Sequence, residues 1–213
     1  MTTVVIDYGS GNLRSAAKAF ERAARESGAD GRVLVTNHAE SLRGASRIVL
    51  PGVGAFADCR RGLAAVPGME DALRQLVLKD GIPFLGICVG MQLLAERGRE
   101  FETVDGLDWI KGEVVPLAPD DLFLKIPHMG WNELKFQRRH PVLEGVDDGA
   151  HAYFVHSYGF THTDPADLIA EVDYGGPITA VIGRDNILGV QFHPEKSQAT
   201  GLKLIANFLR WRP

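Results

Sequence analysis

Gly86-Ile87-Cys88-Val89-Gly90 places a thiol between two glycines, where an apolar run stops and good helix formers begin. The pattern is that of a nucleophile elbow, a sharp strand-to-helix turn that projects its central side chain outward. A Cβ two residues to either side would crowd the turn, which is why glycine is needed there. A thiol at a helix N-terminus also feels the positive end of the helix dipole, which favours the nucleophilic thiolate. The Val89 N–H would then point at negative charge developing on a substrate, giving half of an oxyanion hole. An unpaired cysteine is commonly just a small buried hydrophobe. That reading suits Cys59, whereas the paired glycines single out Cys88 for chemistry.

Val190-Gln191-Phe192-His193-Pro194-Glu195 supplies a base. Residues two apart at a strand end leave on the same face, so Glu195 can accept from one ring nitrogen of His193 and fix its tautomer while the other nitrogen handles a thiol proton. Taken alone, the triplet also fits a surface histidine beside a glutamate in a loop. No third ligand stands at a recognisable spacing, so no metal is expected. Gly52-Val53-Gly54-Ala55-Phe56-Ala57 formally matches a dinucleotide fingerprint, but it follows a third strand rather than a first, and no dinucleotide or other cofactor is expected. It reads better as a loop whose N–H groups, from Val53 and Gly54, complete the oxyanion hole. Gly9-Ser10-Gly11 lacks a third glycine and a Walker lysine; it is a tight turn beside the site or a partner-facing edge.

These residues need a scaffold, and the first half of the chain alternates β-branched runs with amphipathic windows, the signature of a parallel sheet covered by helices on both faces. Expected strands are Thr3 to Tyr8, Arg32 to Thr36, Arg47 to Leu50 and Pro83 to Ile87. Expected helices begin after Asn12, run from Phe56 to Leu63 and Met69 to Leu78, and follow Cys88 from Val89 to Arg97. The second half carries short runs at Glu113 to Leu117, His151 to Tyr158, Leu168 to Tyr174, Ile178 to Gly183 and Leu188 to Phe192, read as mixed or antiparallel strands, before a last helix from Ala199 to Leu209. The expected fold is α/β: three αβα layers, flavodoxin-like, with a mostly parallel central sheet and additional antiparallel strands in the C-terminal half.

With 213 residues, 45% of them hydrophobic, one domain spanning 1–213 is the expectation. A net charge of −4, with both signs interspersed, offers no basic face for nucleic acid and no polybasic strip for lipid. The N-terminus has no positive leader and no stretch approaches transmembrane length. Two cysteines in unlike settings point to a reducing, cytoplasmic compartment.

Together, Gly86 to Gln92, Pro51 to Gly54 and Val190 to Glu195 resemble the class I glutamine amidotransferases, and the three segments span most of the chain. Asp7 to Leu13, Pro127-His-Met-Gly-Trp-Asn132 and His156-Ser-Tyr158 resemble one branch closely, the glutaminase subunits of imidazole glycerol phosphate synthases in histidine biosynthesis. The resemblance implies hydrolysis of L-glutamine through a thioester on Cys88. The ammonia would pass to a separate (β/α)8-barrel cyclase subunit, in a heterodimer, making imidazole glycerol phosphate and an aminoimidazole carboxamide ribotide. It further implies His193 as general acid and base, Glu195 as its orienter, and Val89 with Val53 as oxyanion donors. Gly52, Gln92, Ser157 and Tyr158 would contact glutamine. Gln92 falls one helical turn after Cys88, so it can reach the same pocket, although an exposed helix glutamine is the plainer reading.

Asn12, Trp131 and Lys196 are candidate partner contacts. Trp131 fits core filler equally well, and a solvated lysine is the default for Lys196. His156 lines the pocket or is a satisfied core histidine, while His38, His128, His140, His151 and His162 receive no role. Rival readings are glutaminases serving pyridoxal phosphate, anthranilate or purine synthesis, against which the Pro127 to Asn132 segment speaks; a cysteine peptidase or γ-glutamyl hydrolase; and a non-catalytic flavodoxin-like module. Glutaminase activity is expected to be low alone and to rise with a ligand-loaded cyclase.

Overall fold

The computed structural model of the protein describes residues 1–28, 31–121, 123–161 and 163–213. In chain order, its first half contains β1 (Thr2–Ile6), α1 (Leu13–Ser27), β2 (Arg32–Thr36), β3 (Arg47–Gly52), α2 (Phe56–Ala65), α3 (Met69–Leu73), β4 (Phe84–Cys88) and α4 (Val89–Gln92). The second half contains β5 (Arg97–Glu100), β6 (Glu102–Asp105), β7 (Glu113–Pro116), β8 (His128–Glu133), β9 (Lys135–Phe136), β10 (His151–His156), β11 (Tyr158–Thr161), β12 (Leu168–Asp173), β13 (Pro177–Arg184), β14 (Ile187–Val190) and α5 (Gln198–Arg210).

Among the described residues the central sheet has eight strands in the order β2-β1-β3-β4-β14-β13-β12-β9. The strands from β2 to β14 are parallel, and β13, β12 and β9 add antiparallel pairs. Val4, Val5, Ile6, Ile48, Val49 and Leu50 are fully buried, as continuous apolar strands covered on both faces must be. The chain runs to one edge through α1 and then reverses, so right-handed crossovers place α1 on one face and α2 with α3 on the other. α5 returns to the face of α1, where Phe208 meets Phe20 edge to face at 6.2 Å. α1 ends at Gly28, whose left-handed φ of 65° turns its N–H back onto the Ala24 and Arg25 carbonyls.

Two local expectations differ from the structure. The helix after Cys88 stops at Gln92 instead of continuing to Arg97. The Leu93 and Leu94 carbonyls accept the N–H groups of Leu107, Trp109 and Ile110, and Gly106 fits against the Ala95 carbonyl, where a Cβ would come within 2.0 Å. These tertiary bonds replace the ladder that good helix formers would otherwise extend, and the chain enters the β5–β6 hairpin. Second, the run from His151 to Tyr158 is divided at Ser157: β10 pairs with β8, and β11 joins β7, β5 and β6 in a separate sheet. β14 is a mixed strand, parallel to β4 and antiparallel to β13, within the mixed or antiparallel reading of this half.

The parallel pairing of β14 with β4 positions the site. In the parallel register Gly52 stands opposite Cys88, and Val190 opposite Ile87. The residues following Val190 therefore emerge beside Cys88 at the carboxyl edge of the sheet, where ligands of open α/β sheets bind.

Candidate active site

Cys88 is the bend between β4 and α4, with φ 56° and ψ −115°, a conformation that costs a side-chain-bearing residue free energy and is held by its surroundings. Those surroundings are glycines. A Cβ on Gly86 would lie 2.5 Å from the Gly90 carbonyl oxygen, and one on Gly90 would lie 1.8 Å from the Leu50 carbonyl oxygen. The steric argument for the elbow holds at both positions. α4 is a single turn, so the dipole contributes less than a long helix would; the charge partner of the sulfur is His193.

His193 is buried and lines the same cleft as Cys88, whose sulfur acts on it electrostatically from one side. On the other, its Nδ1 lies 2.9 Å from Glu195 Oε1. Burial is the largest single influence on the imidazole and lowers its pKa, but hydrogen bonding and charge from Cys88 and Glu195 outweigh it and raise the pKa to about 9. The arrangement keeps a proton on the ring beside the sulfur. His193 N–H donates to the Tyr153 carbonyl at 3.0 Å, which ties the strand end to β10.

Cys88 and His193 open onto a cleft of about 500 Å³ that Val53, Gly54, Val89, Gln92, Ser157 and Tyr158 also line. Gly52 is buried behind it, where a Cβ would meet the Tyr8 hydroxyl at 2.6 Å and Gly90 N at 2.8 Å, so its part is to let β3 and α4 approach. Val89 begins α4 and has no intrahelical acceptor for its N–H. Val53 is differently placed: its N–H donates to Ser10 Oγ at 3.1 Å, and its carbonyl accepts from the Ser10 hydroxyl at 2.5 Å and from Cys59 Sγ at 3.3 Å. In this conformation the Val53 N–H is therefore spent on Ser10 and is unavailable to an oxyanion. Cys59 is fully buried, as expected of a structural thiol, yet it also helps to hold the Val53 peptide.

Gln92 is buried rather than exposed; its amide nitrogen donates to the Tyr158 carbonyl at 3.1 Å and to Gln191 Oε1 at 3.0 Å. Gln191 reaches Cys88 Sγ with its own amide nitrogen at 3.8 Å. Gln191 received no role from the sequence, although its place directly after Val190, at the end of a strand abutting the elbow, marks it. Glu100 was likewise missed. It lines the cleft and accepts from Phe56 N–H at 2.6 Å, anchoring the hairpin whose Phe101 is 94% exposed at the cleft mouth.

Of the expected partner contacts, Trp131 is half exposed and packs edge-on to Tyr153 at 5.8 Å, and the exposed Lys196 stands 5.7 Å over the same ring. Asn12 is exposed at the start of α1, apart from that cluster. His156 is a buried, bonded histidine, and His128 is its partner. His162 lies outside the described residues. Among the described residues no group of three or more His, Cys, Asp or Glu is disposed to hold a metal, and no helix is long and apolar enough to cross a membrane.

Residues 4–211 match the family model for class-I glutamine amidotransferases. The chain is 60% identical to the imidazole glycerol phosphate synthase subunit HisH of Rhodospirillum rubrum, and 58% identical to the HisH subunits of Brucella suis and Rhizobium meliloti, with both chains covered in full in each case. Among solved structures it resembles a glutamine amidotransferase at a TM-score of 0.71 and 20% identity, covering 97% of each chain. A Thermotoga maritima glutamine amidotransferase matches at a TM-score of 0.62 and 19% identity, over 92% of this chain and 76% of the other. An elbow cysteine, its imidazole partner and the full-length relatives agree: the chain belongs to the class-I glutamine amidotransferase family, and within it to the branch of imidazole glycerol phosphate synthase HisH subunits.

Proposed function

We propose that Cys88, His193 and Glu195 form the triad by which this chain hydrolyses L-glutamine. The observation that carries the reading is the placement of an elbow cysteine against an imidazole whose far nitrogen is held by a buried carboxylate. The Cys88 thiolate attacks the side-chain amide carbon, and the resulting oxyanion accepts from Val89 N–H. His193 gives its proton to the departing nitrogen, so ammonia leaves and a γ-glutamyl thioester remains. His193 then takes a proton from water; the hydroxide attacks the thioester, the C–S bond breaks, and glutamate departs with Cys88 restored. Val53, with Gly54 beside it, becomes the second oxyanion donor when its N–H exchanges Ser10 for the oxyanion. Gln92, Ser157 and Tyr158 hold the amino and carboxylate ends of glutamine, with Gly52 setting the spacing behind them.

The ammonia goes to a (β/α)8-barrel cyclase subunit docked around the cleft mouth, in a heterodimer that works in the cytoplasm and makes imidazole glycerol phosphate. Asn12, Trp131 and Lys196 are the contacts proposed for that subunit. The name shared by the full-length relatives supports the pairing. The committed Val53 N–H supports low activity in the isolated chain. The test is glutamate release with and without the ligand-loaded cyclase, in the native chain and in Cys88→Ala. Stimulation in the native chain and loss of turnover in the variant are expected; turnover surviving in Cys88→Ala overturns the triad, and equal rates with and without the cyclase overturn the coupling.

A further inference from the structure

Two buried imidazoles that the triad does not use stand between β8 and the wall of the cleft. His128 Nδ1 lies 2.9 Å from His156 Nε2. His128 Nε2 lies 3.2 Å from Asn132 Nδ2, and His156 Nδ1 lies 2.8 Å from the Tyr158 carbonyl oxygen. The direction of these bonds is fixed from their ends. Asn132 Oδ1 accepts from Glu133 N–H at 2.8 Å and Asn132 Nδ2 donates to the Asp173 carbonyl at 2.8 Å, so the side of Asn132 that faces His128 is a donor. A carbonyl can only accept. His128 Nε2 must therefore be bare, with the proton on Nδ1 pointing to a bare His156 Nε2, and the His156 proton on Nδ1 pointing to Tyr158.

The Tyr158 carbonyl is available for this because Leu117 N–H bonds the Ser157 carbonyl, which makes the adjacent Tyr158–Pro116 pair of the antiparallel β11–β7 ladder a non-hydrogen-bonded one whose carbonyls face away from the partner strand. It also accepts from Gln92, whose second amide hydrogen goes to Gln191. With both hydrogens committed, the Gln92 side-chain oxygen has no partner among the described residues, and Gln92 lines the cleft. His128 is clamped by Phe154 at 4.9 Å and by Tyr174 at 4.1 Å, so it cannot turn to relax the relay.

We propose that His128 and His156 are positioning residues: a one-way chain of donors from Asn132 to Tyr158 that fixes the Gln92 amide with its oxygen toward the ammonium of bound glutamine. Reversing either ring would place a bare nitrogen against the Tyr158 carbonyl and let the Gln92 amide lose its register. The proposal rests on the glutaminase reading and deepens it. Burial first, with repulsion from His156 at His128 and from His193 at His156, holds both rings neutral, with pKa lowered to about 4 in each, in keeping with a relay that has no room for another proton.

The test has two parts. Nitrogen-15 NMR of the native chain reads the tautomers directly, whether or not the chain turns over glutamine; Nδ1–H on both rings is expected, and Nε2–H on either overturns the relay. In the synthase complex, His128→Phe keeps the aromatic clamp but removes both ring nitrogens. Losing an oriented acceptor for a charged group should raise KM for glutamine about tenfold, with kcat changed less than about twofold. His128→Asn restores a donor to His156 and should bring KM back to within about threefold of native. An unchanged KM in a folded His128→Phe, or no recovery in His128→Asn, overturns the proposal. Absence of turnover in the native complex would instead sink the glutaminase reading, leaving the tautomers as found.

Discussion

Ser10 and Val53 hold each other at both ends: the Val53 N–H donates to Ser10 Oγ at 3.1 Å, and the Ser10 hydroxyl donates to the Val53 carbonyl at 2.5 Å. The glycine-bounded loop of the proposed oxyanion hole is thus tied to the turn after β1. A hydrogen bond of this kind stabilises by about 0.5–1.5 kcal/mol net, little enough for a docking partner to overcome.

Ser10→Ala is therefore expected to raise glutamate release by the isolated chain by about threefold to tenfold, the shift equivalent to that net energy. Steady-state assays without the cyclase measure it. An unchanged or lower rate in a normally folded variant would argue that Ser10 does not restrain Val53.

Because His193 keeps its proton up to about pH 9 through Cys88 and Glu195, turnover should fall on the basic side near that pH. Glu195→Gln removes one of the raising influences, so the basic limb should move to lower pH and kcat/KM should drop by roughly a hundredfold. The folded pKa lies above the unfolded 6.5, so this contribution to stability is complete below about 6.5 and disappears as pH rises through about 9. A pH–rate series on both proteins decides the matter, and coincident basic limbs would count against the role of Glu195.

Acid should act through other histidines. Burial first, and then neighbouring positive charge, lowers the pKa of His128 and His140 to about 4; burial does the same for His156, with His193 adding to it and the Tyr158 carbonyl opposing it. Each folded value lies below 6.5, so the unfolded chain binds protons first and stability is lost as pH falls from about 6.5 to about 4. The upper bound is on the order of 3 kcal/mol per imidazole. His140→Asn retains an acceptor for the Val142 N–H that His140 Nδ1 now takes at 3.2 Å, and should flatten part of the slope. Urea unfolding at a series of pH values would reveal an unchanged slope if His140 plays no part.

Gly90→Ala would drive a methyl group to 1.8 Å from the Leu50 carbonyl oxygen, backbone against backbone. A loss of about 3 kcal/mol or more is expected, together with slower labelling of Cys88 by a glutamine-like electrophile, because the elbow must open. Thermal unfolding reads the first effect, and a native-like Tm would contradict the packing argument.

The parallel half of the fold was legible because Val4 to Ile6 and Ile48 to Leu50 are continuous apolar runs between amphipathic windows, and the elbow because its glycines flank the thiol. What escaped is long-range. Nothing local in Val89 to Arg97 announces that Gly106 will dock on Ala95 and take over the helix carbonyls. Nor does His151 to Tyr158 carry a turn signal at Ser157, since the break comes from two sheets competing for one run. The Ser10 contact with Val53 spans 43 residues, and Gln191 gains meaning only once β14 lies beside β4. His128 fell silent for the same reason: its partner is 28 residues away.

The adjacency of β4 and β14 also sets a timetable for biosynthesis. More than 100 residues separate Ile87 from Val190, the ladder partners that deliver the imidazole. A nascent polypeptide emerging from the ribosome carries its sulfur long before the other half of the reaction centre exists. Amide cleavage by the proposed pair therefore cannot begin until Val190 and the imidazole that follows it have been made and laid beside β4.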